Sequence, residues 1–319
     1  MPALAQNEAV RQTVKRLTTL IDIALNTPVG ERVVDTLCMT SRTTSESQGY
    51  AWIGALPGMR EWLGPRKFKE LLAYDYAVKN REWESSLQLQ KKAMEDDSIG
   101  MLSPVANSLV SKARRKPDNR LVDVINAAET SQCYDGQFFF DSDHVSGNSG
   151  PQSNLRTVDV TAAATPTPQE IRDIVDDMAV DMMLLKGDDG ENFIDTVLDV
   201  EGTWTLCVPA SYAKAVGKAY GQNLTGEDVG GTVVAVDNYS LIRPRVLPLT
   251  RMQANTIDLY YTGAEIKPYV HQERSDVEYQ PKGMDDIEFK HVKMMTRSRF
   301  EIGYMAWFYA SRAKLQTGS

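Results

Sequence analysis

Apolar positions recur along this chain with two different periods, and the change of period marks its elements. Over residues 8–25, Val10, Val14, Leu17, Ile21 and Leu25 fall at helical spacing with charges between them, which predicts an amphipathic helix. The polar run TSRTTSESQG (40–49) separates it from the rest of the chain, so it fits either a helix packed on its own core or an arm lying on a neighbour. From 72 to 79 the period is two. Leu72, Tyr74, Tyr76 and Val78 face one way, and Ala73, Asp75, Ala77 and Lys79 the other. Beyond Asn80 the alternation resumes, with Trp83, Ser85, Leu87 and Leu89 opposed to Glu82, Glu84, Ser86, Gln88 and Gln90. These runs predict a β-hairpin with one apolar face. A lone hairpin is marginal in water, so that face must cover a sheet of its own domain or another subunit.

Helices come next. Ser103-Pro104 reads as an N-cap with proline at the first helical position, ahead of Val105, Leu109, Val110 and Ala113, or the helix starts earlier, near Asp97. Asp118 is placed to cap a second helix bearing Leu121, Val122, Ile125 and Ala128. Thr167, Pro168 and Glu170 form a capping box before the stripe Ile171, Ile174, Val175, Met178 and Met182, with Gly187 placed to end that helix. Strands are expected at 204–208 and 232–236, with a helix at about 210–220 between them. Four more strands are expected at 257–261, 266–271, 287–294 and 299–305. The order is α+β, not the regular alternation of a doubly wound sheet.

With 319 residues, 42% of them hydrophobic, the chain can fill one large or two modest domains. No stretch approaches the roughly 20 apolar residues of a membrane span, and the first residues carry no apolar signal core. Cys38, Cys133 and Cys207 have no paired spacing, which argues for a reducing compartment and against a zinc cluster. The net charge of −8 disfavours a dedicated nucleic-acid binder. That charge is concentrated: residues 165–201 hold eleven acidic residues against Arg172 and Lys186.

Candidate chemistry is sparse. The sequence has no Walker loop, GxGxxG, GxSxG or HExxH. His271 and His291 read as partly exposed strand residues. The stretch CYDGQFFFDSDH (133–144) is the one constellation that resembles a ligand set. Asp141, Asp143 and His144, with Asp135 as a fourth donor, could hold a divalent cation. The competing reading makes Asp135-Gly136 a turn and Phe138, Phe139 and Phe140 a buried anchor, with Asp141 and Asp143 bonding to local amides. KGDDGEN (186–192) fails the calcium-loop pattern and reads as a solvated acidic turn. Lys290, His291, Lys293, Arg297 and Arg299 interleave with Phe289, Val292 and Phe300, which fits the charged side of a strand pair better than a nucleic-acid face.

Several stretches together carry a resemblance. Trp52–Gly54 with Pro57–Arg66 (PGMREWLGPR), then YDY, KN and WE over 74–84, and EDD at 95–97 resemble the start of the major head subunits of Mu-like bacteriophages. CYDGQFFFDSDH followed by Ser153–Leu155, and the closing FKHVKMMTRSRFEIGYMAWFYASRAK (289–314), are similar to the same family. The resemblance implies the Hong Kong 97-type capsid fold, with an N-terminal arm (1–49), an extended β-hairpin loop (50–95) and a peripheral domain with a spine helix (96–154). An axial domain (155–258) and returning peripheral strands (259–319) would complete it. It implies no enzyme and no cofactor, but a subunit forming hexamers and pentamers around double-stranded DNA, without sequence-specific binding or a membrane. Val10, Val14, Leu17, Ile21, Trp52, Trp62, Tyr74, Tyr76 and Trp83 would then contact neighbouring subunits. The chain shows no long N-terminal helical extension, so a separate scaffolding protein is expected, along with a portal and decorating subunits, with assembly in the host cytoplasm. A metal-dependent hydrolase or nuclease built on Asp135, Asp141, Asp143 and His144 is the alternative.

Overall fold

A computed structural model of the chain describes residues 12, 15–16, 18–27, 30–50, 76–90, 102–147, 149–188, 190–194, 203–221, 224–229, 232–237, 240–282 and 291–318. Two sheets organise it. The elements run α1 (Val33–Leu37), β1 (Cys38–Arg42), β2 (Ser47–Tyr50), β3 (Tyr76–Lys79), β4 (Arg81–Gln90), α2 (Leu102–Arg114) and α3 (Lys116–Asn126). Then come β5 (His144–Val145), β6 (Pro151–Gln152), β7 (Leu155–Val160), α4 (Pro168–Leu184), β8 (Trp204–Pro209), α5 (Ala213–Tyr220), β9 (Leu224–Val229) and β10 (Thr232–Asp237). The described chain closes with β11 (Arg245–Leu249), β12 (Thr256–Tyr261), β13 (Tyr269–Lys282), β14 (His291–Tyr304) and β15 (Ala310–Thr317).

The first sheet has the order β1-β13-β14-β4, and the second β11-β8-β12-β15-β7. β8 is buried along its whole length, which suits the apolar run WTLCVP in an inner strand. α4 begins as its sequence says: Thr167 Oγ1 accepts from Glu170 N at 3.2 Å, and Thr167 N donates to Glu170 Oε2 at 2.7 Å. Its whole expected stripe is buried in one core with Leu206, Val208, Ile257 and Leu259. A second core joins α3, residues 133–140 and the near ends of β13 and β14. A third, smaller cluster gathers Ile21, Ala106, Leu109, Val110 and Met294.

Several expectations need correction. The runs 72–79 and 83–90 do not pair with each other. One residue, Asn80, separates β3 from β4, too few to reverse the chain, so β3 pairs with β2 and β4 with β14. The rest of the expected hairpin region, residues 51–75, lies outside the described residues. Strands expected at 287–294 and 299–305 are, where described, one strand of 14 residues. Asp118 does not cap α3, which starts at Lys116 with Pro117 in its first turn; its Oδ1 accepts instead from Val34 N at 3.1 Å. Gly187 is not the terminator of α4, because the chain already turns extended at Leu185 (ψ 133°). The last segment does not return wholly to the first sheet. β15 lies in the second, between β12 and β7, so residues 310–317 join the strands of 155–258.

Candidate functional site

The stretch 133–144 is built as a hub, with Asp135, Asp141 and His144 bonded within the chain itself. Gly136 takes φ +85°, a conformation glycine adopts without a Cβ clash, and Gln137 N donates to Asp135 Oδ1 at 3.2 Å. This is the expected turn. Phe139 and Phe140 are buried as expected, but Phe138 is 40% exposed. Its backbone bridges Gln132 while the chain alternates, so its ring leaves the side that Phe139 occupies. Phe139 packs on Tyr269 and Tyr304, each at 5.0 Å between ring centroids.

The four candidate ligands do not converge. Asp141 Oδ1 accepts from Ser142 N at 2.8 Å and Oδ2 from Phe138 N at 3.3 Å. Asp143 is exposed. Only Asp135 and His144 meet, with Oδ2 and Nδ1 2.6 Å apart and the imidazole stacked on Trp307 at 4.0 Å. Among the described residues no group of three or more His, Cys, Asp or Glu is placed to hold a metal ion. Asn154 closes the loop. Its Nδ2 donates to Phe139 O (2.8 Å) and Trp307 O (3.1 Å), and its Oδ1 accepts from Asp141 N (2.9 Å). The sequence marked it only through the family-like Ser153–Leu155.

Beside this hub lies a buried ion pair that sequence reasoning missed. Arg312 of β15 grips Asp258 of β12 with two bonds, at 2.7 and 2.6 Å, and donates to Ile125 O at 2.9 Å. Its guanidinium lies 4.3 Å over Phe140 and reaches Glu129 at 3.2 Å, which also holds Lys314 at 2.8 Å. Burial pushes the Asp258 carboxyl up, and the guanidinium opposes that push. The network therefore ties the end of α3, the aromatic hub and the second sheet together. The only signal in the sequence was two charges on expected or neighbouring strands, 54 residues apart.

The β2–β3 pair is fastened to the first sheet. Tyr304 N donates to the Tyr76 hydroxyl at 2.9 Å, Tyr50 donates to Gln272 Oε1 at 2.9 Å, and Gln272 Nε2 donates to Val78 O at 3.1 Å. Val78 fills the space above Gly303, where any Cβ would collide with its Cγ2.

The expected subunit contacts are placed as follows. Val10, Val14, Leu17, Trp52, Trp62 and Tyr74 lie outside the described residues. Ile21 is fully buried against α2 of its own chain, so it has no surface left for a neighbour. Tyr76 is held by Tyr304, and Trp83 stacks on Phe300 at 5.7 Å while donating from Nε1 to its carbonyl at 3.2 Å. Much of the surface assigned to neighbours by Tyr76 and Trp83 is therefore used within the chain. His271 is likewise buried, not partly exposed. Desolvation pulls its pKa down to about 4, helped by Arg32 and opposed by Asp35 and Asp276.

Among the described residues no helix is long and apolar enough to cross a membrane. Residues 24–166 match the family of the Mu-like prophage major head subunit gpT. The Mu-like prophage FluMu major head subunit of Haemophilus influenzae is 34% identical over 117 residues, 37% of this chain and 38% of that protein. The major capsid protein of Escherichia phage Mu is 30% identical over 108 residues, 34% of this chain and 35% of that one. The matches thus span little over a third of these relatives. Solved structures extend the likeness to the whole chain. The procapsid of bacteriophage JBD30 aligns at TM-score 0.53 and 20% identity over 100% of this chain and 77% of that one. A virus-like particle from Pyrococcus furiosus aligns at TM-score 0.53 and 10% identity over 94% and 98%. The fold is the Hong Kong 97-type capsid fold.

Proposed function

We propose that this chain is the major capsid subunit of a Mu-like tailed phage, assembling as hexamers and pentamers into the icosahedral head around double-stranded DNA. One observation carries the reading: a stretch matching the Mu-like major head subunit family sits inside a chain that aligns with a phage procapsid subunit at TM-score 0.53. The physics agrees. Among the described residues, β2 and β3 are joined to each other by only four paired residues on each strand. A two-stranded pair that short is stabilised when other surfaces cover it, and homomeric association does so by mass action.

A separate scaffolding protein, a portal and decorating subunits complete the proposed assembly, which forms in the host cytoplasm. The metal-dependent hydrolase reading has lost its ligand set, since Asp141 is spent on backbone amides and Asp143 is exposed. The test is to express the chain with and without its phage's scaffolding protein and to examine gradient fractions by electron microscopy. Closed shells or capsomer rings support the proposal. A stable monomer under every condition overturns it.

A further inference from the structure

Two exposed features away from the aromatic hub complement each other. One is a cleft of about 240 Å³ between β4, α2, α3, β13 and β14. Among the described residues its cations are Lys112, Lys116 and Arg297, its apolar lining is Trp83, Ala113 and Val277, and Glu84 is its one carboxylate. Lys116 Nζ stands 3.9 Å over the Trp83 ring, and Arg297 also meets Glu82 at 3.0 Å. The cleft therefore suits a partner that is acidic and partly apolar. A uniformly charged nucleic-acid backbone is a poorer match, because Glu82 and Glu84 flank it and the floor is apolar.

The other feature is the outer face of α4. Asp173, Asp177 and Asp181 follow one another at i, i+4 spacing and are exposed. Beside them stand Val180 and Leu184, 43% and 63% exposed, among the most exposed large apolar side chains described. Arg156 reaches Asp177 and Asp181 at 3.2 and 3.1 Å, while Asp173 accepts from Gln169 at 2.9 Å and meets no cation among the described residues. Within one chain the ridge and cleft are not joined: the cleft lining comes from the first sheet and its helices, while α4 packs its buried face on the second.

We propose, resting on the capsid reading, that the acidic, apolar ridge of α4 in one subunit seats in the Lys112–Lys116–Arg297 cleft of the next. Such a contact is head-to-tail, the kind that closes into rings when the rotation between copies is right. It is one part of a larger interface, since a stable one buries well beyond a single cleft.

Charge exchange tests it. Lys112→Glu with Lys116→Glu, and separately Asp173→Lys with Asp177→Lys, are expected to cut the yield of assembled particles at least tenfold. All four substitutions in one chain are expected to restore it. Circular dichroism checks that each variant is folded. As a second readout, Ala113→Cys with Leu184→Cys is expected to give an oxidation-dependent ladder of linked subunits; the native cysteines Cys38, Cys133 and Cys207 are buried. If wild-type chain assembles but the pairwise variants assemble equally well, or the fourfold variant fails to recover and no ladder forms, the contact is wrong and the capsid reading stands. A wild-type chain that never assembles overturns both.

Discussion

Asp258 and Arg312 are where a single atom group matters most. Both are fully buried, and each supplies the other's principal charge. Asp258→Ala leaves the buried guanidinium with Glu129 as its one carboxylate among the described residues, beside Ile125 O and the Phe140 ring, and the expected loss is about 3–5 kcal/mol in chemical denaturation. Replacing both with apolar residues of similar volume is expected to cost far less, because the desolvation of the pair disappears with it. Gly303 gives a steric counterpart. Gly303→Ala places a methyl against Val78, with an expected loss of about 1–3 kcal/mol that Val78→Ala partly recovers. His271 gives a pH dependence. Its folded pKa of about 4 lies below the ordinary 6.5, so the unfolded chain takes up the proton first. Stability is full above about pH 6.5 and falls as pH drops toward 4, by an amount on the order of 3 kcal/mol at one site. His271→Phe is expected to flatten that part of the curve of unfolding midpoint against pH. None of these three features was legible in the sequence. A buried charge pair, a knob over a glycine and a buried imidazole all depend on partners brought from distant sequence.

Elements were legible where their signals are local. The capping box of α4 sits within four residues, and its stripe repeats over about three turns, so the sequence located both start and buried face. Thr167→Ala is expected to cost about 1 kcal/mol, read as a lower melting midpoint. Glu170 shares that cap. Burial alone would raise its carboxyl, but amides and hydroxyls of Thr161 and Thr167 hold it at about 2, so the cap's contribution persists above pH 4.5 and fades as pH falls toward 2. Strands were read for face but not for partner. Tyr76, Val78, Trp83, Ser85 and Leu87 do turn inward, and their neighbours in sequence outward, as the period of two requires. That period fixes a face, while pairing is set by where the chain returns. β4 finds β14, more than 200 residues later, instead of the strand next to it. β15 went unread because its polar positions, Ser311 and Arg312, are buried in the second sheet and mask the apolar pattern. In 133–144 the turn and the Phe139–Phe140 anchor were legible; the release of Phe138 to solvent and the role of Asn154 were not.

At the scale of the whole molecule, the described residues are organised by two large sheets, with a buried polar network tying the second to the aromatic hub and the β2–β3 pair fastened to the first. A body so braced suits a subunit that must stay rigid while it packs against copies of itself. The resemblance read in the sequence supplied the fold, and two of its motifs, 133–144 and 289–314, include the hub and the long strand β14. It did not supply the boundaries, since the last strand crosses back to the second sheet. The capsid account is tested most directly by cryo-electron microscopy of particles purified from cells expressing this chain with its phage's scaffolding protein. The expected map is a closed icosahedral shell of hexamers and pentamers, in which each subunit traces this chain with Arg312 on Asp258. Particles built from some other protein, with this chain absent or present only as a soluble monomer, would contradict the account.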